Sequence, residues 1–160
     1  MKYDGENRVA RIIPDCVTDG EGVRVSVYLA GCHFRCPGCF NASLWRFDAG
    51  EELTDELLNR IIYLLRPDYI KGLSILGGEP LQNQLVLKRL IHAVRLHFGS
   101  TKDIWIWTGY IKEYIEYDDQ LKWILSAADV LVDGPFVKRL KADLAFRGSL
   151  NQRIHYLSKN

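Results

Sequence analysis

Residues 23–45 read VRVSVYLAGCHFRCPGCFNASLW. The first nine are β-branched and mostly apolar, the run expected of a strand covered on both faces. At Gly31 the run breaks into a loop that carries Cys32, Cys36 and Cys39, spaced Cys-x3-Cys-x2-Cys. Glycines 31 and 38 let backbone pass close to a compact centre, and Pro37 stiffens a loop that must aim three sulfurs at one point. A strand that delivers a cysteine loop at its C-terminal end is the first unit of an α/β chain, and the residues beyond it repeat the unit.

Thr54 is placed to cap a helix whose first turn holds Asp55 and Glu56, favourable at the positive end of the dipole. Leu57, Leu58, Ile61, Ile62 and Leu65 then recur at helical spacing until Pro67 stops them. IKGLSILGG (70–78) reads as a second buried strand. Leu87, Leu90, Ile91, Val94 and Phe98 mark one face of a second helix, with Gly99 as its C-cap. DIWIWTG (103–109) is a third strand, 112–127 a helical stretch, DVLVDG (129–134) a fourth strand, and NQRIHYL (151–157) a last short one. Strands alternating with helices predict a mostly parallel sheet. With right-handed crossovers the expected fold is α/β, an incomplete (β/α) barrel, because a full one needs about 250 residues.

The 160 residues are expected to form a single domain spanning 1–160, with no linker, repeat or low-complexity tract. Hydrophobic residues make up 48% and charged ones 26%, and the net charge is +1, so no basic field points to nucleic acid or to an anionic membrane. The first residues lack the apolar core of a secretory signal, and no apolar run reaches membrane-spanning length, so a cytoplasmic location is expected. In a reducing compartment clustered cysteines favour metal over disulfide.

Each unusual motif falls at the C-terminal end of an expected strand: the cysteines, then GGEP (77–80), WTGY (107–110) and VDGPF (132–136). Two metal readings are open for the cysteines. A zinc knuckle wants four ligands, and Cys16 or His33 would have to supply the fourth. A cubane iron–sulfur cluster accepts three thiolates and leaves one corner to a non-protein ligand.

The cysteine loop followed one unit later by Gly77-Gly78-Glu79-Pro80 resembles the radical S-adenosylmethionine (SAM) superfamily. The stretches from Pro14 to Arg153, above all the cysteine loop with NASLW and the late RGSLNQR, resemble the activating proteins of anaerobic (class III) ribonucleotide reductases. The resemblance implies a radical SAM domain with a cluster loop at 31–40 and a SAM motif at 77–80. It implies one [4Fe–4S] cluster on Cys32, Cys36 and Cys39, with SAM on the fourth iron, and residues 77–80 meeting the methionine amino group. It implies an oxidoreductase that cleaves SAM to a 5′-deoxyadenosyl radical and makes a glycyl radical on the large reductase subunit. A one-electron donor such as flavodoxin or ferredoxin would be a second partner.

The same resemblance carries Thr108 and Asp133 over as residues near SAM, Asp133 as an acid facing the cationic cofactor. Asp133 also reads as a capping or turn aspartate before Gly134. Two positions depart from superfamily habit: Gly38 stands where many members have an aromatic residue, leaving either Phe40 or backbone alone to meet the adenine, and Pro135 stands where some have lysine. Other readings are a radical SAM enzyme for a different protein or small molecule, and a non-catalytic zinc-binding adaptor. Cys16 reads as a buried small hydrophobe. His92, His97 and His155 read as ordinary core or surface histidines. Trp105 and Trp107 share one side of a strand and read as core. Arg147, Asn151 and Gln152 form a late polar group that suits either docking or a solvated turn.

Overall fold

The computed structural model describes Tyr3 and residues 5–157; positions 1, 2, 4 and 158–160 of the expected domain lie outside the described residues. A seven-stranded sheet organises the chain. Its strands are β1 (Arg8–Cys16), β2 (Val23–Leu29), β3 (Glu51–Glu52), β4 (Ile70–Gly77), β5 (Asp103–Trp107), β6 (Val130–Asp133) and, after the hairpin β7 (Lys141–Leu144) and β8 (Arg147–Ser149), β9 (Arg153–Tyr156). The order is β3-β1-β2-β4-β5-β6-β9. The four central strands β2, β4, β5 and β6 are parallel, as their apolar runs predict, while β1, β3 and β9 pair antiparallel at the flanks.

Helices α1 (Asp55–Leu65) and α2 (Gln84–Phe98) form where apolar spacing predicts them. Thr54 caps α1 by accepting a hydrogen bond from Leu57 N at 3.1 Å. The 112–127 stretch divides into α3 (Lys112–Tyr117) and α4 (Ile124–Ala127). The break falls at Asp118, which turns to extended backbone and accepts from Gln120 N through its side chain, a local bond that competes with the helix.

Register sorts the side chains by face. Val27, Ile75, Ile106 and Leu131 lie abreast and join Ile61, Leu65, Leu87, Leu90 and Val94 in one core under the helices. One residue back, Ser26, Ser74, Trp105 and Val130 line the opposite face, which packs no helix in that core. There Arg24, buried, donates to Ser74 Oγ (2.7 Å), to the carbonyls of Leu73 and Glu21, and to Asp103. Its guanidinium lies 5.4 Å from the Trp105 ring. The two tryptophans stack at 5.6 Å, Trp105 buried and Trp107 half-buried.

The sequence reading lacks β1, the two-residue β3 and the β7–β8 hairpin. β1 contains Pro14 and is bulged twice along its pairing with β2, so its apolar residues never alternate cleanly. The β7–β8 hairpin is short, and its turn depends on Phe146 in the left-handed region at φ 63°.

Candidate functional site

The parallel register aligns the C-terminal ends of the central strands, pairing Leu29 with Gly77 and Trp107 with Val132. A cleft of about 350 Å³ opens at that edge. Cys32, Cys36 and Cys39 line it together with Gly77, Gly78, Glu79 and Thr108. The sequence motifs thus converge where strand ends meet, the usual place for a ligand in an α/β sheet.

The glycines let two backbones touch. A Cβ on Gly77, at φ +139°, would lie 2.3 Å from the Leu29 carbonyl oxygen. One on Gly78 would lie 2.5 Å from that oxygen and 2.8 Å from the Gly31 carbonyl oxygen. Glu79 N donates to that Gly31 carbonyl at 2.8 Å, and Asn83 Nδ2 donates to it at 3.3 Å. Asn41, just past the third cysteine, donates through Nδ2 to Gly77 O at 3.1 Å. The cysteine loop is therefore tied to the Gly77–Glu79 turn by two hydrogen bonds and to Asn83 by a third. Pro80 is buried and opens the short 3-10 turn that leads into α2.

The Glu79 side chain points inward. Its carboxylate accepts from Thr108 Oγ1 (2.6 Å), Gly109 N (2.7 Å) and Leu81 N (3.1 Å), which joins the end of β4 to the end of β5. Burial pushes its pKa up to about 7 against those three donors. Thr108 has its hydroxyl hydrogen on Glu79 and accepts from Tyr110 N, so its contribution to the cleft is a held oxygen.

All four cysteines are free thiols. Burial pushes the Cys32 thiol up to about 12 and raises Cys36 as well. Cys39 Sγ accepts from Asn41 N at 3.4 Å. Cys16 is buried off the cleft, 3.4 Å from both Thr18 Oγ1 and Asp19 Oδ2. Among the described residues no three His, Cys, Asp or Glu side chains converge on one ion position. Three free thiols on one cleft are a donor set that a cubane can take, each thiolate on a different iron.

The other expected residues divide. Phe40 lines the cleft, is 66% exposed, and packs on Phe136 at 5.2 Å between ring centroids. Pro135 and Gln152 line it too. Gln152 accepts from Gly148 N (2.7 Å) and donates to Gly134 O (3.0 Å), and Asn151 donates to Pro135 O (2.7 Å). This pair thus pins loop 134–136 to the hairpin. Arg147 reaches the cleft, whereas His33 packs its ring on Phe47 at 4.5 Å, off the cleft.

Asp133 departs from its expected place. It is buried and off the cleft, and its carboxylate accepts from Lys112 N (2.8 Å) and from Arg153 Nε and Nη2 (3.3 and 2.6 Å), with His155 Nε2 3.1 Å away. Burial alone would raise its pKa, but these donors outweigh that and hold it below the usual carboxylate range. With its oxygens turned to α3 and β9, Asp133 ties the end of β6 to both elements.

Sequence reasoning missed Thr18, Asp19, Trp107, Phe136 and Phe146, all on the cleft wall. Thr18 and Asp19 reach it because loop 17–22 folds back over the helix-free face, where Ser74 Oγ donates to Asp19 O and the Tyr28 hydroxyl to Asp19 Oδ2. No motif announces such a loop.

Comparison with known proteins agrees with this picture. The family described as "4Fe-4S single cluster domain" matches residues 18–155, a span that holds Cys32, Cys36 and Cys39 and begins after Cys16. The chain is 38% identical to the anaerobic ribonucleoside-triphosphate reductase-activating protein of Salmonella typhi over 154 residues, covering 94% of this chain and 99% of that one. To the protein of the same name from Enterobacteria phage T4 it is 37% identical over 156 residues, 96% and 93% of the two chains. To that of Vibrio cholerae it is 40% identical over 148 residues, 89% and 93%. The chain belongs to the family of anaerobic ribonucleoside-triphosphate reductase-activating proteins. As a member of that activating-protein family it carries an iron–sulfur domain whose matched span contains the entire cleft wall. No helix among the described residues is long and apolar enough to cross a membrane.

Proposed function

We propose that this chain is a radical SAM activase for anaerobic ribonucleoside-triphosphate reductase, its sheet being an open barrel of the radical SAM type within one domain, 1–160. Cys32, Cys36 and Cys39 would hold one [4Fe–4S] cluster through their thiolates. Bound there, the cluster would supply the single electron for reductive cleavage of SAM, the chemistry from which a glycyl radical on the reductase would follow. One observation carries the reading: three free cysteines and the Gly77–Glu79 turn share one cleft at the ends of adjacent parallel strands.

The chain's own residues bind, orient and shield. The backbone of Gly77–Glu79 is bare of side chains on its glycines, so it offers amide and carbonyl groups to the amino acid end of SAM. Glu79 fixes Thr108 and Gly109, and so sets the width of the wall between β4 and β5. Phe40, packed at a tilt on Phe136, offers an apolar surface for adenine where Gly38 supplies no aromatic ring. Loop 134–136, pinned by Asn151 and Gln152, walls the cleft beside the cysteine loop, where Phe136 meets Phe40. The partners are the reductase and a one-electron donor of flavodoxin or ferredoxin type.

The decisive experiment is anaerobic reconstitution with iron and sulfide, followed by electron paramagnetic resonance during SAM titration and then mixing with the reductase. A [4Fe–4S] signal that changes with SAM, 5′-deoxyadenosine on turnover, and a glycyl radical on the reductase are expected. Zinc at one per chain and no iron would replace this reading with the adaptor. A SAM-responsive cluster that leaves the reductase without a radical would move the activity to another substrate.

A further inference from the structure

We propose that Lys138, Arg139 and Lys141, beside the cysteine loop, form the docking site for a small acidic one-electron carrier protein. The inference rests on the cluster assigned above, since only a redox centre at the cysteines gives an electron somewhere to go.

The chain as a whole is nearly neutral, with 21 basic and 20 acidic residues, yet residues 136–149 hold four basic side chains against the single Asp143. Lys138, Arg139 and Lys141 are exposed, and no acidic side chain among the described residues pairs with them in an ion pair. Lys138 and Lys141 stand against the cysteine loop, with Arg139 next to Lys138 in the chain. A Cβ on Gly38, between Cys36 and Cys39, would lie 3.2 Å from Lys138 Cδ, so the lysine stem runs over the loop itself. Lys141 Nζ lies 5.2 Å from the ring centre of Phe40, the neighbour of Cys39. Lys141 at an exposed aromatic ring, with Lys138 over the adjoining loop, gives an apolar spot with a charged rim, the pattern of a protein interface.

The position suits electron delivery. A carrier needs only to bring its own redox centre close to the outside of the cysteine loop. A substrate glycine, by contrast, must enter the cleft, and none of the three basic residues lines the cleft. Redox encounters are small and short-lived, and they depend on charge steering more than on buried area. A basic face therefore fits an acidic carrier. In the step itself one electron passes from the reduced carrier to the cluster; the carrier is oxidised by one, the cluster reduced by one, and no group is transferred.

The test uses the reconstituted protein and reduced flavodoxin with an acidic surface as probe, read by stopped-flow bleaching of the cluster and by calorimetric affinity for the oxidised probe. For the native chain the second-order rate should fall about tenfold as salt rises from about 0.02 to about 0.3 M. Lys138→Glu/Arg139→Glu should lose about tenfold in rate and affinity at low salt and lose the salt dependence as well. Reduction by dithionite and the spectral response to SAM should be unchanged, which shows an intact fold and cluster. Lys141→Glu alone is the second variant, expected to act in the same direction. Unchanged rate, affinity and salt slope in both variants would overturn the proposal. Weaker capture of the reductase with normal reduction by the carrier would overturn it too, giving this face to the reductase. A native chain without a SAM-responsive cluster is a different failure, that of the activase reading.

Discussion

Glu79 carries the one carboxylate in the cleft whose proton is set by burial. Its ordinary value of 4.5 rises to about 7 in the folded chain, so between those values the folded state holds a proton that the unfolded state releases. Its contribution to stability is then full below pH 4.5, declines as pH rises toward 7, and is flat beyond, a span of roughly 3 kcal/mol. Denaturant unfolding of the native chain and Glu79→Gln across pH 4 to 8 should give a difference with that slope; parallel curves would refute it. The cysteines make a second prediction at this scale. Cys32→Ala, Cys36→Ala and Cys39→Ala should each lose iron and sulfide on anaerobic reconstitution, and Cys16→Ala should keep both, because Cys16 itself does not line the cleft. The triad is legible in the sequence because three thiols in one loop have few other uses. The place of Asp133 is not, because a strand-end acid looks alike from sequence whether it faces a cofactor or an arginine that arrives twenty residues later.

Among the elements, the turn at 77–79 is the least tolerant. A methyl at Gly78 meets two backbone carbonyl oxygens, of Leu29 and Gly31, and neither can swing aside as a side chain would. Gly78→Ala should cost about 1–3 kcal/mol and weaken SAM binding, measured by thermal melts and by calorimetry on the reconstituted protein; an unaltered melt would show that the two backbones are not locked. The hairpin β7–β8 depends on Gln152 in a comparable way. Gln152→Ala leaves Gly148 N and Gly134 O without their partner, a loss of about 1–3 kcal/mol, and should speed amide exchange across 134–149 while α1 and α2 stay protected. Helices and parallel strands were legible because burial on one or two faces writes a regular apolar period. β1 and the hairpin were not, since bulges break the period in one and a left-handed Phe146 makes the turn in the other.

For the molecule as a whole, Arg24 is the brace of the helix-free face. It ties loop 17–22, β4 and β5 through Glu21 O, Leu73 O, Ser74 Oγ and Asp103, with its side chain fully buried. Removing one partner of such a set costs about 3–5 kcal/mol, so Arg24→Ala should lower the melting temperature by on the order of 10 °C. A drop of a degree or two would mean the face is held by Trp105 packing alone. The sheet order has a further consequence in time. Cys39 precedes Glu79 by forty positions in the chain and Gly148 by more than a hundred, yet all three line the same cleft. On the ribosome the three thiols emerge long before the turn that anchors their loop and longer still before the hairpin that walls it. The nascent chain therefore exposes its three cysteines well before the residues that complete the cleft around them have been made.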